Sequence, residues 1–156
     1  MCKEYSWPPA LLPLAEVLGP RRNANNRESN EATGTVREDG DIININGALC
    51  ELIILNHLMQ IGKPWVANKI FDDGYQADWD FIYGEKRVDV KYCGGYEMHV
   101  NEKSHQKHKA DLYWFVKPDR ERHTFRCVSV TWEEVNDWQM KKRHSEYRCK
   151  PWPEAA

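Results

Sequence analysis

Along the first forty positions apolar residues cluster only once, in SWPPALLPLAEVLG (6–19). A proline-rich start and a closing glycine predict a short helix there. The next stretch, RRNANNRESNEATGTVREDGD, is nearly devoid of apolar residues and rich in turn formers, which predicts a mobile loop or linker. Arg21 and Arg22 within it could touch a phosphate. The pattern strengthens at INGALCELIILNHLMQIGKP, whose apolar length predicts a helix closed by Gly62 and Pro64. Period two then takes over. PWVANKIF reads as a strand, and YQADWDFIY and KRVDVKY read as two strands joined tightly at Gly84-Glu85, a hairpin. After Gly94-Gly95 come an extended YEMHV and a short basic segment, NEKSHQKHK. ADLYWFV is a buried-type strand, PDRE a turn and HTFRCVSV another strand. TWEEVNDWQM opens with Thr131 and Glu134 in capping-box spacing, so a helix follows. This order predicts an α/β fold, a central mixed β-sheet flanked by helices. Residues 1–40 are expected to form the short helix plus flexible loop, 41–145 the folded domain, and 146–156 a C-terminal tail.

Composition narrows the classes. The 156 residues suit one domain able to bury its own core. The chain is polar, with mean hydropathy −0.78, although seven Trp and seven Tyr supply large apolar faces. A formal charge of −2 gives no global basic signature, so a nucleic acid would have to meet a local patch. No apolar run approaches the roughly 18 residues of a membrane span, and the first residues lack the basic-then-apolar order of a secretory signal. Five scattered cysteines without a C-x-x-C pair read as reduced thiols. A cytoplasmic location and no membrane partner are expected.

Charge matters most in the hairpin, DWDFIYGEKRVDVK (78–91). With the turn at Gly84-Glu85, Tyr83 faces Lys86, Phe81 faces Val88, Asp80 faces Asp89 and Asp78 faces Lys91. Strand alternation then puts Asp78, Asp80, Asp89 and Lys91 on one side, and Trp79, Phe81, Val88 and Val90 on the core side. Like charges opposed across a ladder repel by up to roughly 1 kcal/mol. A hard divalent ion, Mg²⁺ above all, would relieve that repulsion through oxygen ligands. Upstream, helical periodicity sets Glu51 beside Gly47, Ala48, Ile54, Leu55 and Leu58, with Asn56, His57 and Gln60 opposite. A carboxylate on an apolar face needs a partner. It is a further ligand of the same metal, a hydrogen-bonded core Glu, or a helix-edge Glu that reaches out to water.

Together these elements resemble the PD-(D/E)XK nucleases: a helix with an inward Glu (GALCELIILNHL), a strand opening in Asp (ADWDFIYG), a tight turn, and acid-x-Lys (RVDVK), over roughly Asn46 to Val130. Asp89-Val90-Lys91 is the only acid-x-Lys in the chain. Ala77 and Trp79 stand where the family has proline, which leaves two candidates for the first metal ligand; the nine-residue spacing to Asp89 favours Asp80 over Asp78. The resemblance implies a restriction-endonuclease-like fold and a Mg²⁺-dependent nuclease, with Mn²⁺ as a substitute ion, acting on nucleic acid and above all DNA. Asp80 and Asp89 would hold the metal, Lys91 the attacking water and the phosphate, and Glu51 would complete the shell. Double-strand cutting would call for a homodimer. RNA or structure-specific cleavage, or a non-cleaving binding module, are the alternatives.

Just past the hairpin, Lys103 and Lys107 stack one turn apart on a helix, with Gln106 one step aside. They form either a phosphate-holding face or a solvated one. His99, His105 and His108 match no common zinc spacing. Trp138 and Trp152 are expected to pack rather than stack on bases.

Overall fold

The computed structural model describes residues 2–33, 40–69 and 79–154. Its elements are β1 (Glu4–Ser6), α1 (Leu11–Thr33), α2 (Gly40–Gln60), β2 (Ala67–Asn68), β3 (Phe81–Tyr83), β4 (Lys86–Tyr92), β5 (Glu97–Asn101), α3 (Glu102–Gln106), β6 (Leu112–Asp119), β7 (Thr124–Thr131), α4 (Trp132–Asn136), β8 (Gln139–Lys142) and β9 (Glu146–Pro151). The start of the expected YQADWDFIY strand, including Asp78, lies outside the described residues.

The hairpin forms in the expected register, with Phe81 opposite Val88 and Tyr83 opposite Lys86. Gly84 has φ +60°, the positive value a tight two-residue turn requires at its first central position. β4 then pairs in parallel with β6, which pairs antiparallel with β7. The resulting six-stranded mixed sheet has the order β1-β7-β6-β4-β3-β2.

Alternation along these strands builds two cores. Val88 and Val90 of β4, with Phe81, Val116 and Phe125, join the α1–α2 pair on one face. Tyr113 and Phe115 of β6 join Met98, Val100, Val135, Trp138 and Trp152 on the other. Helix α2 lies between α1 and the sheet and is buried continuously from Ala48 to Leu55. Length and composition alone would let it span a membrane, contrary to the sequence reading, but half of that apolar window is buried inside the fold.

Three expectations are corrected. The first helix does not stop at Gly19. It runs through Pro20 to Thr33, across the segment read as a loop. Gly19 marks a helix crossing, because a Cβ there would come within 2.5 Å of Ile45 Cγ1 and 2.6 Å of its backbone N. Only glycine lets α2 approach so closely. Second, residues 146–151 are not tail. They form β9, the middle strand of a separate antiparallel sheet, β5-β9-β8. Its largely exposed side chains carry too little apolar alternation to announce a strand. Third, there are accordingly two sheets rather than one. The Thr131–Glu134 capping box forms at α4 as expected, and Trp138 and Trp152 are buried.

Candidate active site

Strand β4 is the axis of the site. Its odd-numbered residues turn their backbone toward β6 and its even-numbered ones toward β3. β3 ends its ladder at Phe81, so the Val90 N–H finds no strand beside it. Asp80 fills the gap: its Oδ2 accepts from Val90 N at 2.6 Å. Its own N–H donates to the Val88 carbonyl (2.8 Å), already opposite Phe81, and its carbonyl accepts from Lys69 N (2.8 Å). Two residues thus oppose one, a bulge that ends the ladder and re-aims the side chain. Asp80 and Asp89 are therefore not the directly opposed ladder pair that an unbroken hairpin predicts. They still lie within electrostatic reach of each other.

Asp89 and Lys91 share a face of β4 two residues apart, and Lys91 Nζ lies 2.8 Å from Asp89 Oδ2. Glu51 enters from α2 and is only 7% exposed. Its carboxyl lies within electrostatic reach of Asp80 and Asp89. The structure thus brings Glu51, Asp80, Asp89 and Lys91 into one cluster.

The residue sequence reasoning missed as a member is Arg22. It donates from Nη1 to Glu51 Oε1 and from Nη2 to Oε2, both at 2.8 Å. Glu51 is therefore satisfied by a guanidinium fork, as a hydrogen-bonded core carboxylate. Carrying the helical period past Pro20 would have pointed to it, since Arg22 falls on the face of buried Ala15 and Leu18.

The electrostatics are those of crowded acids. Burial, then the charges of Glu51 and Asp89, push Asp80 well above the usual carboxylate range, and the Val90 N–H and Lys91 only partly offset them. Burial also raises Glu51, against the pull of Arg22. Burial opposes the charge on Lys91, yet Asp89, followed by Asp80 and Glu51, holds its pKa above the ordinary value. Lys91 is thus an ammonium at neutral pH. It can orient and stabilise anions but cannot take up a proton.

Behind Asp89 the sheet is braced. Its parallel neighbour is Tyr113, whose hydroxyl lies 2.9 Å from Nδ1 of the buried His105 of α3. His105 Nε2 donates to Asn136 Oδ1 at 2.7 Å. Burial, then Asp89 and Glu102, push the Tyr113 phenol up, so it stays neutral. Lys103 of α3 and Lys107, which caps its C-terminus, are exposed. Gln106 donates to Glu102 (2.6 Å), which also holds Arg148. His99 pairs with Glu97, and His108 stacks on Trp132.

Three carboxyls lie close together here, oxygen donors of the kind a hard cation takes, with Arg22 and Lys91 against them. The donors are nonetheless engaged. Among the described residues no group of three or more His, Cys, Asp and Glu side chains is placed to hold a metal ion. Comparison with protein-family models, curated proteins and solved structures finds no match for the chain.

Proposed function

We propose that this protein is a metal-dependent phosphodiester hydrolase of restriction-endonuclease-like fold, acting on DNA. The observation that carries the reading is the gathering of Glu51, Asp80, Asp89 and Lys91 where β3 leaves β4. Asp111 and Glu102 each have an arginine partner; here carboxyls are crowded until one resists ionising, a strain typical of functional sites.

Asp80 and Asp89 would hold Mg²⁺, or Mn²⁺ in its place, with Glu51 behind them. When bound, such an ion polarises a phosphoryl oxygen and acidifies water. The chain's own residues do the remaining work. The Val90 N–H and the bulge fix Asp80, and Asp89 fixes Lys91 by their ion pair. The Lys91 ammonium would hold the incoming water and the non-bridging oxygens, on which negative charge gathers. Water would add in line and the P–O bond on the far side break; one water proton, relayed through solvent, ends on the departing oxygen, so the products are a phosphate monoester and an alcohol.

A second reading has its own observation. Arg22 on Glu51 and Lys91 on Asp89 close the cluster without any metal, as a non-cleaving nucleic-acid-binding module would allow. Incubation of circular single- and double-stranded DNA with Mg²⁺, Mn²⁺ or EDTA, beside Lys91→Ala, separates the two. Metal-dependent cutting, lost in the folded variant, is expected. Cutting unchanged in EDTA would overturn the hydrolase reading, and tight binding without cleavage under either metal would favour the module. Cleavage of RNA instead would reassign the substrate.

A further inference from the structure

At the carboxyl ends of the parallel strands β4 and β6 the surface turns aromatic and basic. Open α/β sheets take their ligands in the crevice beyond such strand ends. Two cavities lie there. One, of about 490 Å³, starts at Tyr92, the residue after Lys91, and runs past Gly94 and Gly95 to Tyr96, His99 and Arg143. Tyr96 is 82% exposed and Tyr92 45%, so both rings are open to water. Glu97, which also lines this cavity, is engaged by Lys141 (2.7 Å) and His99 (3.2 Å). The exposed Arg143 meets no carboxylate among the described residues.

The second cavity, of about 560 Å³, is lined by Lys117, Arg122 and Arg126 against Glu4 and Asp119. Lys117 and Arg126 stand directly opposite each other across the β6–β7 ladder, where like charges repel. Neither meets a carboxylate among the described residues. Glu4, beside Arg126 on β1, accepts from Arg122 at 3.0 Å instead. Asp119 is occupied by the backbone N–H groups of Glu121 and Arg122. Lys117 joins the two cavities: its Nζ donates to the Gly95 carbonyl at 2.7 Å and lies 5.7 Å from the Tyr96 ring centre. The buried Trp152 ring supports both cations, 5.4 Å from Lys117 Nζ and 5.9 Å from the Arg126 guanidinium carbon. Open rings and unneutralised cations thus alternate along one rim.

We infer that this rim binds a single-stranded nucleic acid, its unpaired bases stacked on Tyr92 and Tyr96 and its phosphates held by Arg143, Lys117 and Arg126. Every base has a π-face, so rings interleaved with cations match a polyanion whose charges are separated by flat bases. A duplex keeps its bases stacked inside and cannot offer them to the rings. An acidic peptide would use the cations and leave the rings idle. The inference deepens the proposed reading by naming the form of the substrate. It rests on that reading for the class of ligand, not for cleavage.

The test is fluorescence anisotropy of a labelled short oligodeoxythymidine with the full chain, in EDTA so that cutting plays no part. Tyr96→Ala should weaken binding about tenfold, the scale of one lost base stack, with unchanged salt dependence and, the residue being exposed, unchanged Tm. Tyr96→Phe should bind like the unaltered protein. Arg126→Gln should weaken binding and lower the slope against log salt by about 0.7, one phosphate contact on a single strand. A duplex should bind at least about tenfold more weakly than the single strand and be indifferent to Tyr96→Ala. Full binding by Tyr96→Ala, an equal loss in Tyr96→Phe, or no binding by the unaltered protein would overturn the inference. Polyglutamate displacing the oligonucleotide as readily as unlabelled strand would overturn it in favour of an acidic protein partner. Metal-dependent cleavage beside full binding by Tyr96→Ala would remove the rim and leave the hydrolase standing. Tyr96-dependent binding without cleavage under either metal would uphold the rim and bring the hydrolase down.

Discussion

Two aspartates flank β4 and do the same local job, yet they end in opposite electrostatic states. Asp111, just before β6, accepts from the Arg87 backbone N–H at 2.9 Å on one side of the strand; Asp80, just before β3, accepts from Val90 on the other. Each finishes a ladder where its neighbouring strand runs out. Asp111 also receives the Arg87 guanidinium through two further bonds of 3.0 and 2.9 Å, and these hold its carboxyl at about 2. Asp80 receives two other carboxyls as neighbours and is driven upward. The backbone needs an acceptor at both places, but only at Asp111 is the charge neutralised by a dedicated partner. The same backbone role thus leaves one carboxylate satisfied and the other wanting a counter-charge.

The comparison breaks most visibly in activity. Lys91→Ala and Asp80→Asn should each lower metal-dependent DNA cleavage by at least about a hundredfold, the scale on which single charge-stabilising groups act, while Asp111→Asn should leave the rate within about twofold. Comparable losses in all three variants would mean the two aspartates are not different in kind.

Stability should show the reverse ranking. Asp111→Asn removes half of an ion pair whose arginine is 38% exposed, so the loss is discounted for solvent to about 1 kcal/mol, or about 2–4 °C in Tm. Because the folded carboxyl lies below its unfolded value, that contribution is present above about pH 4 and disappears as the pH falls toward about 2. Thermal melts of both proteins across this window should converge at the acid end.

Asp80→Asn should raise Tm by a few degrees near neutrality and above, about 2–6 °C, since an amide keeps the Val90 bond and removes an uncomfortable charge. The sign of the pH dependence is opposite to that of Asp111. A carboxyl raised in the folded state favours folding when protonated and loses that contribution as pH rises through its raised range, so the gain of the variant should shrink on acidification. A variant less stable than the parent at alkaline pH would show that Asp80 is content where it is.

The mildest effect should come from α3. Lys103→Ala with Lys107→Ala should weaken DNA binding about two- to fivefold at low salt and hardly at all at high salt. A salt-independent loss would show that these lysines act on the fold instead.

How much of this was legible in the chain depended on which local signal dominated. β4 and its turn could be read because Val88 and Val90 alternate strictly with charged residues and Gly84 fixes the reversal. Glu51 could be read because a lone acid on an apolar helical face has few places to go. Arg22 was hidden, because Gly19-Pro20 looks like a terminus until the close approach of Ile45 explains the glycine. The bulge at Asp80 was hidden as well, since nothing in DWDFIY says where a ladder stops. β8 and β9 escaped because their side chains are mostly in water, which erases the alternation a buried face imposes.

The placement of β9 has a consequence for how the molecule assembles. β5 finds its partner in the small sheet not in its neighbours along the chain but in β9, about fifty residues further on. Arg148 of β9 reaches back to Glu102 of α3, the short helix whose His105 props Tyr113 beside Asp89. The brace behind β4 therefore closes only through long-range pairing, which is slow to form. A chain caught midway would carry a finished hairpin with nothing behind it.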